Sequence, residues 1–181
     1  MDIKVLLIKG IPHRNGSSNI LADRFMAGAK ESRHEVITFD VAHSEIAPCL
    51  ACEYCHTKSK GECYQKDDMT ELKNLILSSD MVVLATPLYF FNMSAQLKLA
   101  IDRCYSFLDK MSYQIKKMGL IVTANNPNPH IMDIIVSNYL SIVNFLGVEN
   151  AGMVLATGCG TPEITMQTNF PDLAYEFGKS I

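Results

Sequence analysis

The sequence lacks a large excess of charge of either sign, a long apolar run and a recognisable export signal. Its formal net charge is −3 over 181 residues, so the surface offers no broad attraction for the phosphate backbone of a nucleic acid. No apolar run approaches the roughly 18–20 residues that cross a bilayer. The first residues lead directly into a short apolar stretch without a small-residue cleavage site, which is typical of a first strand. We therefore expect a cytoplasmic protein that binds neither nucleic acid nor membrane.

Internal repeats, low-complexity tracts and a linker rich in Pro, Gly and Ser are also missing. A chain of this length without such divisions predicts a single domain over residues 1–181. Without an export signal, the six cysteines are expected in a reducing compartment, where they are thiols or ligands and not disulfides.

Five short apolar runs predict β-strands, and segments with helical periodicity separate them. The predicted strands are residues 3–9, 35–40, 81–86, 118–124 and 151–157. The predicted helices are residues 19–30, one capped by Asp67, one from Ser94 to Leu108, residues 131–146 and one starting near Pro171. Four of the strand segments are continuously apolar, which indicates strands covered on both faces, as in parallel sheets. The order predicts a three-layer, doubly wound α/β domain with a five-stranded parallel sheet.

In such a fold ligands bind beyond the carboxyl ends of the strands, so the loops that follow the strands are candidate binding segments. The first of them, residues 10–19, holds two glycines, a proline and small hydroxyl and amide side chains. Its backbone amides at a helix start favour an anion, with Ser17 and Ser18 as hydroxyl donors and Arg14 as added charge or as a solvent-facing side chain. The lysine of a P-loop and the glycines of a Rossmann fingerprint are both missing. An ordinary strand-to-helix turn is the alternative.

A second loop, after the third predicted strand, carries large apolar side chains where exposure is expected. Leu88, Tyr89, Phe90 and Phe91 follow Pro87, and leaving four such side chains uncovered would be unfavourable. A flat aromatic ring system packed against this loop would cover them. For Phe90 and Phe91, burial in the core or in a dimer contact is the alternative.

Together the two segments resemble the NADPH-dependent FMN reductase and iron–sulfur flavoprotein families of the flavodoxin-like superfamily. The second segment matches the family pattern almost residue for residue from Pro87 to Arg103, and the likeness in element order covers nearly the whole chain. The resemblance implies a flavodoxin-like fold, FMN as cofactor, NAD(P)H as electron donor, and assembly into a homodimer or homotetramer.

The resemblance also implies which residues contact FMN. The isoalloxazine would lie against the second loop and the phosphate against the first, while residues 157–160 form a third wall or, alternatively, a flexible glycine-rich turn. The residues that the resemblance assigns are Ser17, Ser18, Pro87, Leu88, Tyr89, Phe90 and Asn92. From their places in the loops, Arg14, Asn15, Thr157 and Gly158 are expected to bind FMN as well. Ile11 departs from the family pattern, because it replaces a serine that would donate a hydrogen bond to the phosphate, and weaker retention of FMN is expected.

Four cysteines lie within fifteen residues after the second predicted strand: Cys49, Cys52, Cys55 and Cys63. Thiolates separated by two residues can converge on one metal ion or cluster, because a tight turn brings two sulfur atoms to the same side. The resemblance implies a [4Fe–4S] cluster at these cysteines. Free thiols or a redox pair, and a zinc ion with His56 as substitute ligand, are the alternatives.

No Ser/His/Asp set and no pair of carboxylates stands out, which fits an enzyme whose flavin carries the chemistry. We therefore expect an FMN-dependent oxidoreductase that passes electrons from NAD(P)H through FMN to a quinone, a flavin, a nitro-compound or a protein acceptor. A non-enzymatic electron carrier is the alternative, although a net charge of −3 is small for a carrier of the flavodoxin type. A redox sensor whose cysteine loop meets a partner is a third reading. The sequence specifies neither donor nor acceptor.

Overall fold

The computed structural model describes residues 2–181 and places five strands in one sheet. The strands are β1 (Lys4–Lys9), β2 (Glu35–Phe39), β3 (Met81–Pro87), β4 (Lys117–Thr123) and β5 (Glu149–Ala156). Their order is β2-β1-β3-β4-β5, and every neighbouring pair is parallel. This is the strand order of flavodoxin-like domains, so the predicted five-stranded doubly wound sheet is confirmed.

Helices cover both faces of the sheet. They are α1 (Ser17–Glu31), α2 (Tyr54–Thr57), α3 (Met69–Ile76), α4 (Ala95–Arg103), α5 (Leu108–Gln114), α6 (Asp133–Leu146), α7 (Pro162–Met166) and α8 (Phe170–Ser180). Helices α1 and α8 pack on one face, where Val5 and Leu7 of β1 point, and α3, α4 and α6 pack on the other, where Leu6 and Ile8 point. Two-sided burial is the reason why the four central residues of β1, Val5 to Ile8, are all apolar. In residues 2–181 no helix combines the length and the apolarity needed to cross a membrane.

The predicted helix from Ser94 to Leu108 is wrong in its second half. Helix α4 ends at Arg103, a 3₁₀ turn follows at Cys104–Phe107, and α5 begins at Leu108. The backbone leaves the helical region at Phe107 (φ −133°, ψ 26°). Apolar periodicity does not reveal this break, because apolar residues stay buried on both sides of it.

The remaining boundaries agree with the predictions within one or two residues. Helix α1 and strand β5 each begin two residues earlier than predicted, at Ser17 and Glu149. Residues 131 and 132 belong to a 3₁₀ turn at Pro129–Met132, so α6 begins later than predicted, at Asp133. The short helices α2 and α7 were not predicted. The N-cap of α3 is Asp68 and not the predicted Asp67, and its side chain makes no capping hydrogen bond. Asp67 lies one residue earlier and accepts a hydrogen bond from the backbone N–H of Met69 (3.2 Å), the first residue of the helix.

Candidate functional site

Loops at the carboxyl edge of the sheet enclose a cleft of about 380 Å³. Its walls are the start of α1, the loop after β3 and the residues that follow β4 and β5. Strands β1 and β3 are neighbours at the centre of the sheet, where the strand order reverses. Doubly wound folds bind their ligands at this position.

The first turn of α1 presents a buried hydroxyl without a partner. The N-cap of the helix is Gly16, which offers no side chain to accept hydrogen bonds from the free N–H groups of the first turn. The Ser17 side chain is buried, and its Oγ has no hydrogen-bond partner among residues 2–181. Leaving a buried hydroxyl unpaired costs roughly 1–3 kcal/mol. These groups fit a phosphate, which would accept hydrogen bonds from Ser17 and from the backbone amides.

Ser18 is held by Thr123, a residue that sequence reasoning did not select. The two hydroxyl oxygens lie 2.5 Å apart, and both side chains are buried. Thr123 is the last residue of β4, and it also lines the cleft. The hydroxyl of Ser18 is therefore engaged, and Ser17 carries the free one. The sequence signal for Thr123 is a single polar side chain at the end of an apolar strand.

Arg14 and Asn15 lie at the exposed part of the loop, outside the residues that line the cleft. The loop is closed by Asn19, whose side-chain amide donates to the carbonyls of His13 (3.0 Å) and Arg14 (2.9 Å). Ile11, the departure from the family pattern, is buried in the core at the base of the cleft. Serines 17 and 18 thus lie in the cleft wall, whereas the two longer polar side chains do not.

The loop after β3 forms a tight hairpin at residues 89–92. The N–H of Tyr89 donates to the carbonyl of Asn92 (2.8 Å), and the N–H of Asn92 donates to the carbonyl of Tyr89 (3.0 Å). Both central residues have positive φ, +46° at Phe90 and +65° at Phe91, a geometry in which glycine or asparagine is usual. Each costs roughly 1–2 kcal/mol for a residue with a Cβ. Phe90 is 100% exposed and Phe91 is 50% exposed, so neither ring belongs to the core.

The predicted ring-contacting residues divide into two groups. Pro87, Leu88 and Tyr89 line the cleft. Phe90 projects away from the protein, and the side chain of Asn92 accepts a hydrogen bond from the N–H of Met93 (2.8 Å), which stabilises the hairpin.

Ser94 joins the two loops of the cleft. Its fully buried Oγ donates to the carbonyl of Gly10 (2.8 Å), and its N–H donates to Oγ1 of Thr86 (3.0 Å). A Cβ at Gly10 would lie 2.5 Å from the Cβ of Leu97, so this close approach requires glycine. The first and second loops are therefore held in a fixed relation across the cleft.

The third wall consists of Cys159, Gly160 and Thr161, slightly beyond the predicted Thr157 and Gly158. The N–H of Cys159 donates to the carbonyl of Ala124 (2.8 Å), which ties this segment to the end of β4. A separate void of about 230 Å³ lies between the sheet and helices α4–α6, and core side chains line most of it. Its lining offers too few polar groups to orient a phosphate.

The four clustered cysteines line one small hollow of about 20 Å³ beside the C-terminal end of α4. Cys55 is buried, Cys63 is half-buried, and Cys49 and Cys52 are exposed; all are free thiols. Burial raises the pKa of the Cys55 thiol. Within residues 2–181 no three His, Cys, Asp or Glu side chains converge closely enough to hold a metal ion. The thiols thus surround a common space without meeting in the geometry of metal ligands.

His56, the substitute ligand of the zinc alternative, is engaged elsewhere. Its ring packs edge-on against Tyr105 with centroids 4.5 Å apart, and its Nε2 lies 3.1 Å from the Tyr105 carbonyl. Cys104 lies in the core outside the hollow, where burial raises the pKa of its thiol to about 12.

Arg103 and Asp67 form a buried ion pair next to this hollow. The Arg103 guanidinium donates from Nη1 (2.6 Å) and Nη2 (3.0 Å) to the two carboxylate oxygens, and from Nη1 to the carbonyl of Ala47 (2.8 Å). Burial by itself would raise the pKa of Asp67, but the bonds and charge of Arg103, with the amides of Ala47 and Met69, hold it below its usual value. Sequence reasoning placed Arg103 in the family pattern and assigned it no role.

Residues 3–148 match the family model described as NADPH-dependent FMN reductase. This chain belongs to the NADPH-dependent FMN reductase family. It is 36% identical over 120 residues to an iron-sulfur flavoprotein of Archaeoglobus fulgidus, an alignment that covers 66% of this chain and 54% of that protein. It is 26% identical over 165 residues, 86% of each chain, to Bacillus subtilis YwqN, named as an NAD(P)H-dependent FMN-containing oxidoreductase. The chain spans about half the length of the iron-sulfur flavoproteins that it matches.

Solved structures show the same fold at lower identity. An NAD(P)H:quinone oxidoreductase from Methanothermobacter marburgensis superposes with a TM-score of 0.74 at 18% identity, over 99% of this chain and 96% of the other. The azoreductase AzrA superposes with a TM-score of 0.71 at 17% identity, over 98% and 100%. At these identities the structural similarity establishes only the flavodoxin-like fold. The functional argument depends on the match to the reductase family model and on the relatives found by sequence.

Proposed function

We propose that this chain is an FMN-dependent oxidoreductase that takes electrons from NAD(P)H, acts as one FMN-binding domain and holds FMN in the cleft. The observation that carries the proposal is the buried, unpaired hydroxyl of Ser17, in the wall of the cleft that Pro87, Leu88 and Tyr89 also line. A phosphate at the helix end and a ring against these three side chains would use both features. Membership of the reductase family supports the assignment and favours an enzyme over an electron carrier.

In this proposal the cleft residues bind and orient the cofactor. Ser17 and the first N–H groups of α1 hold the phosphate, and the Ser18–Thr123 pair keeps the start of the helix in place. Pro87 and Leu88 present apolar surface that excludes water from the ring. Bound FMN would supply the hydride and electron transfer. This fits the cleft, because none of the described residues that line it carries a carboxylate.

The identity of the bound flavin tests the proposal directly. Mass spectrometry of the chromophore released from the protein is expected to give FMN and not FAD, because the first loop lacks a dinucleotide fingerprint. Steady-state oxidation of NADH and NADPH is then measured with a quinone, a nitro-compound and free flavin as acceptors. If the released chromophore is FAD, or if no flavin binds after reconstitution, the proposal is overturned. If bound FMN is not reduced by NADH or NADPH, the chain is an electron carrier and not an NAD(P)H-dependent enzyme.

We further propose that Cys49, Cys52, Cys55 and Cys63 ligate a [4Fe–4S] cluster. Four thiols around one hollow are the donor set that such a cluster uses. The names of the iron-sulfur flavoproteins among the relatives support the same assignment. The cluster would then be one acceptor for electrons from the flavin.

Replacing Cys63 by serine is expected to remove the cluster and leave FMN bound, because other loops hold the flavin. Iron and sulfide are assayed after anaerobic reconstitution, with about four of each per chain expected in the parent and less than one in the variant. Cys104→Ala is the matched control, since this thiol lies outside the hollow. Zinc in place of iron, or four titratable thiols without metal in the parent, contradicts the proposal.

We also propose that the chain self-associates, at least to a dimer. The strained hairpin holds Phe90 and Phe91 out from the protein beside the cleft, where a second subunit would cover them. Sedimentation velocity at micromolar concentration is expected to show a dimer or tetramer, and Phe90→Ser should shift the equilibrium toward monomer. A flavin-loaded parent that sediments as a monomer contradicts this prediction.

A further inference from the structure

Arg103 carries a buried hydrogen-bond donor that the fold leaves unused. The residue is 2% exposed, and its two terminal nitrogens are paired with Asp67 and Ala47. Its Nε–H has no hydrogen-bond partner among residues 2–181. A buried donor without an acceptor costs roughly 1–3 kcal/mol, and more when the donor is charged. Both carboxylate oxygens of Asp67 are already paired with Nη1 and Nη2. The Nε–H therefore needs an acceptor other than Asp67.

The acceptor is best sought in the hollow of the four cysteines, which Arg103 lines. Cys63 also lines the hollow. Burial by itself would lower the pKa of the Arg103 guanidinium, but Asp67 and, to a smaller extent, the charge of Cys63 and a side-chain hydrogen bond to it raise that pKa, while Nε itself has no partner. A thiolate or a sulfide held in the hollow would be a charged acceptor, and it would bring sulfur within reach of the idle N–H.

Among the described residues that line the hollow, Arg103 is the only one with a positively charged side chain. Lys58 and Lys60 are exposed and lie outside this lining. The one carboxylate in the lining, Glu53, is near the Tyr105 hydroxyl (3.2 Å). Because the Arg103 side chain is only 1% exposed, water screens its charge little.

We propose that Arg103 is a positioning residue that raises the reduction potential of the centre held by the four cysteines, by donating its Nε–H to sulfur at Cys63. The inference rests on the proposed cysteine-ligated centre. Hydrogen bonds and positive charge at the sulfur atoms stabilise the more negative, reduced state of a cluster. Asp67 fixes the guanidinium plane through two bonds, so Nε points in one direction.

The same helix carries residues of both sites. Helix α4 begins after Ser94, which ties the two cleft loops together, and ends at Arg103 beside the cysteines. Nine residues at 1.5 Å each separate the two ends by roughly 13 Å. Arg103 therefore acts on the centre and not on the flavin, and FMN content reports independently on folding.

The test compares Arg103→Lys with the parent after anaerobic reconstitution, using EPR-monitored redox titration of the cluster. Lysine keeps the charge and loses the Nε–H, so the one-electron equilibrium is expected to shift about tenfold toward the oxidised state, which is about 59 mV. Arg33→Lys is the control, because Arg33 is exposed and remote from the hollow lining. An unchanged potential in a cluster-loaded Arg103→Lys variant overturns the inference.

Asp67→Glu provides a second route if Arg103→Lys fails to fold. The longer side chain keeps the ion pair and displaces the guanidinium, so a lower potential is again expected, and an unchanged one counts against the inference. The cluster-free protein is also titrated with Co²⁺, and the sulfur-to-cobalt absorption band should shift in the Arg103→Lys variant. A parent that binds neither iron–sulfur nor Co²⁺ at the cysteines overturns both this inference and the proposed cluster. The proposed FMN site would stand, since FMN binding and NAD(P)H oxidation report on the cleft independently.

Discussion

Replacing Ser17 by aspartate is expected to lower the affinity for FMN by roughly a thousandfold. The new carboxylate would lie at the start of α1, where the proposed phosphate carries nearly two negative charges. Two like charges about 4 Å apart repel by roughly 4 kcal/mol at the effective dielectric constant of a protein surface. A loss of 1.4 kcal/mol lowers affinity about tenfold, so this repulsion corresponds to a loss of affinity of about a thousandfold. Adding Ser18→Asp should increase the loss.

The measurement is a titration of flavin-free protein with FMN, followed by the quenching of flavin fluorescence. Ser17→Asn is the matched control, because it has nearly the size of aspartate without the charge. Ser17→Ala should weaken binding by roughly 1–3 kcal/mol through the lost hydrogen bond. If Ser17→Asp binds FMN as tightly as Ser17→Asn, the phosphate does not lie at the start of α1.

Ser18 is expected to respond differently from Ser17, because its hydroxyl is already paired with Thr123. Ser18→Ala leaves the buried Thr123 hydroxyl without its partner, so the unfolding free energy of the flavin-free protein should fall by about 1 kcal/mol. Ser17→Ala should leave that quantity unchanged or raise it, since the Ser17 hydroxyl is unpaired in the flavin-free fold.

Replacing Asp67 by asparagine is expected to lower the unfolding free energy by roughly 3 kcal/mol. The change leaves the Arg103 guanidinium, 1% exposed, without an opposite charge, and removing one partner of a buried pair typically costs 3–5 kcal/mol. The lower end applies because the Asp67 side chain is 14% exposed. Urea titration of the flavin-free protein near neutral pH measures the difference.

The same pair predicts how stability depends on pH. The pKa of Asp67 is held below its usual value, so the ion pair contributes fully above the pKa of an unfolded aspartate, about 3.9, and this contribution is lost as the pH falls through the folded value. The parent should therefore lose unfolding free energy below about pH 4 more steeply than Asp67→Asn. Asp172→Asn, which breaks the exposed Arg24–Asp172 pair, is the control and should cost less than 1 kcal/mol. Parallel pH curves for parent and Asp67→Asn would contradict this account.

Local sequence patterns were sufficient for the strands, most helices and the loops that form the cleft. Continuous apolar runs such as residues 81–86 indicate two-sided burial, because a strand covered by helices on both faces has no polar side. The small residues around Ser17 and the apolar residues from Pro87 to Tyr89 follow strand ends, and parallel topology brings strand ends to one edge. These features depend on neighbours in the chain, so the sequence reveals them.

Partners distant in the chain were decided only by the tertiary structure. Ser18 pairs with Thr123 across 105 residues, Ser94 with Gly10 across 84, and Arg103 with Asp67 across 36. The residues next to a serine or an arginine in the sequence are the same whether its side chain faces water or a buried partner. The neighbouring sequence therefore does not identify these contacts. For the same reason the sequence did not show that Ser17 keeps the free hydroxyl, or that Arg103 lines the hollow of the four cysteines. Both follow from which side chains the packed sheet and helices bring together.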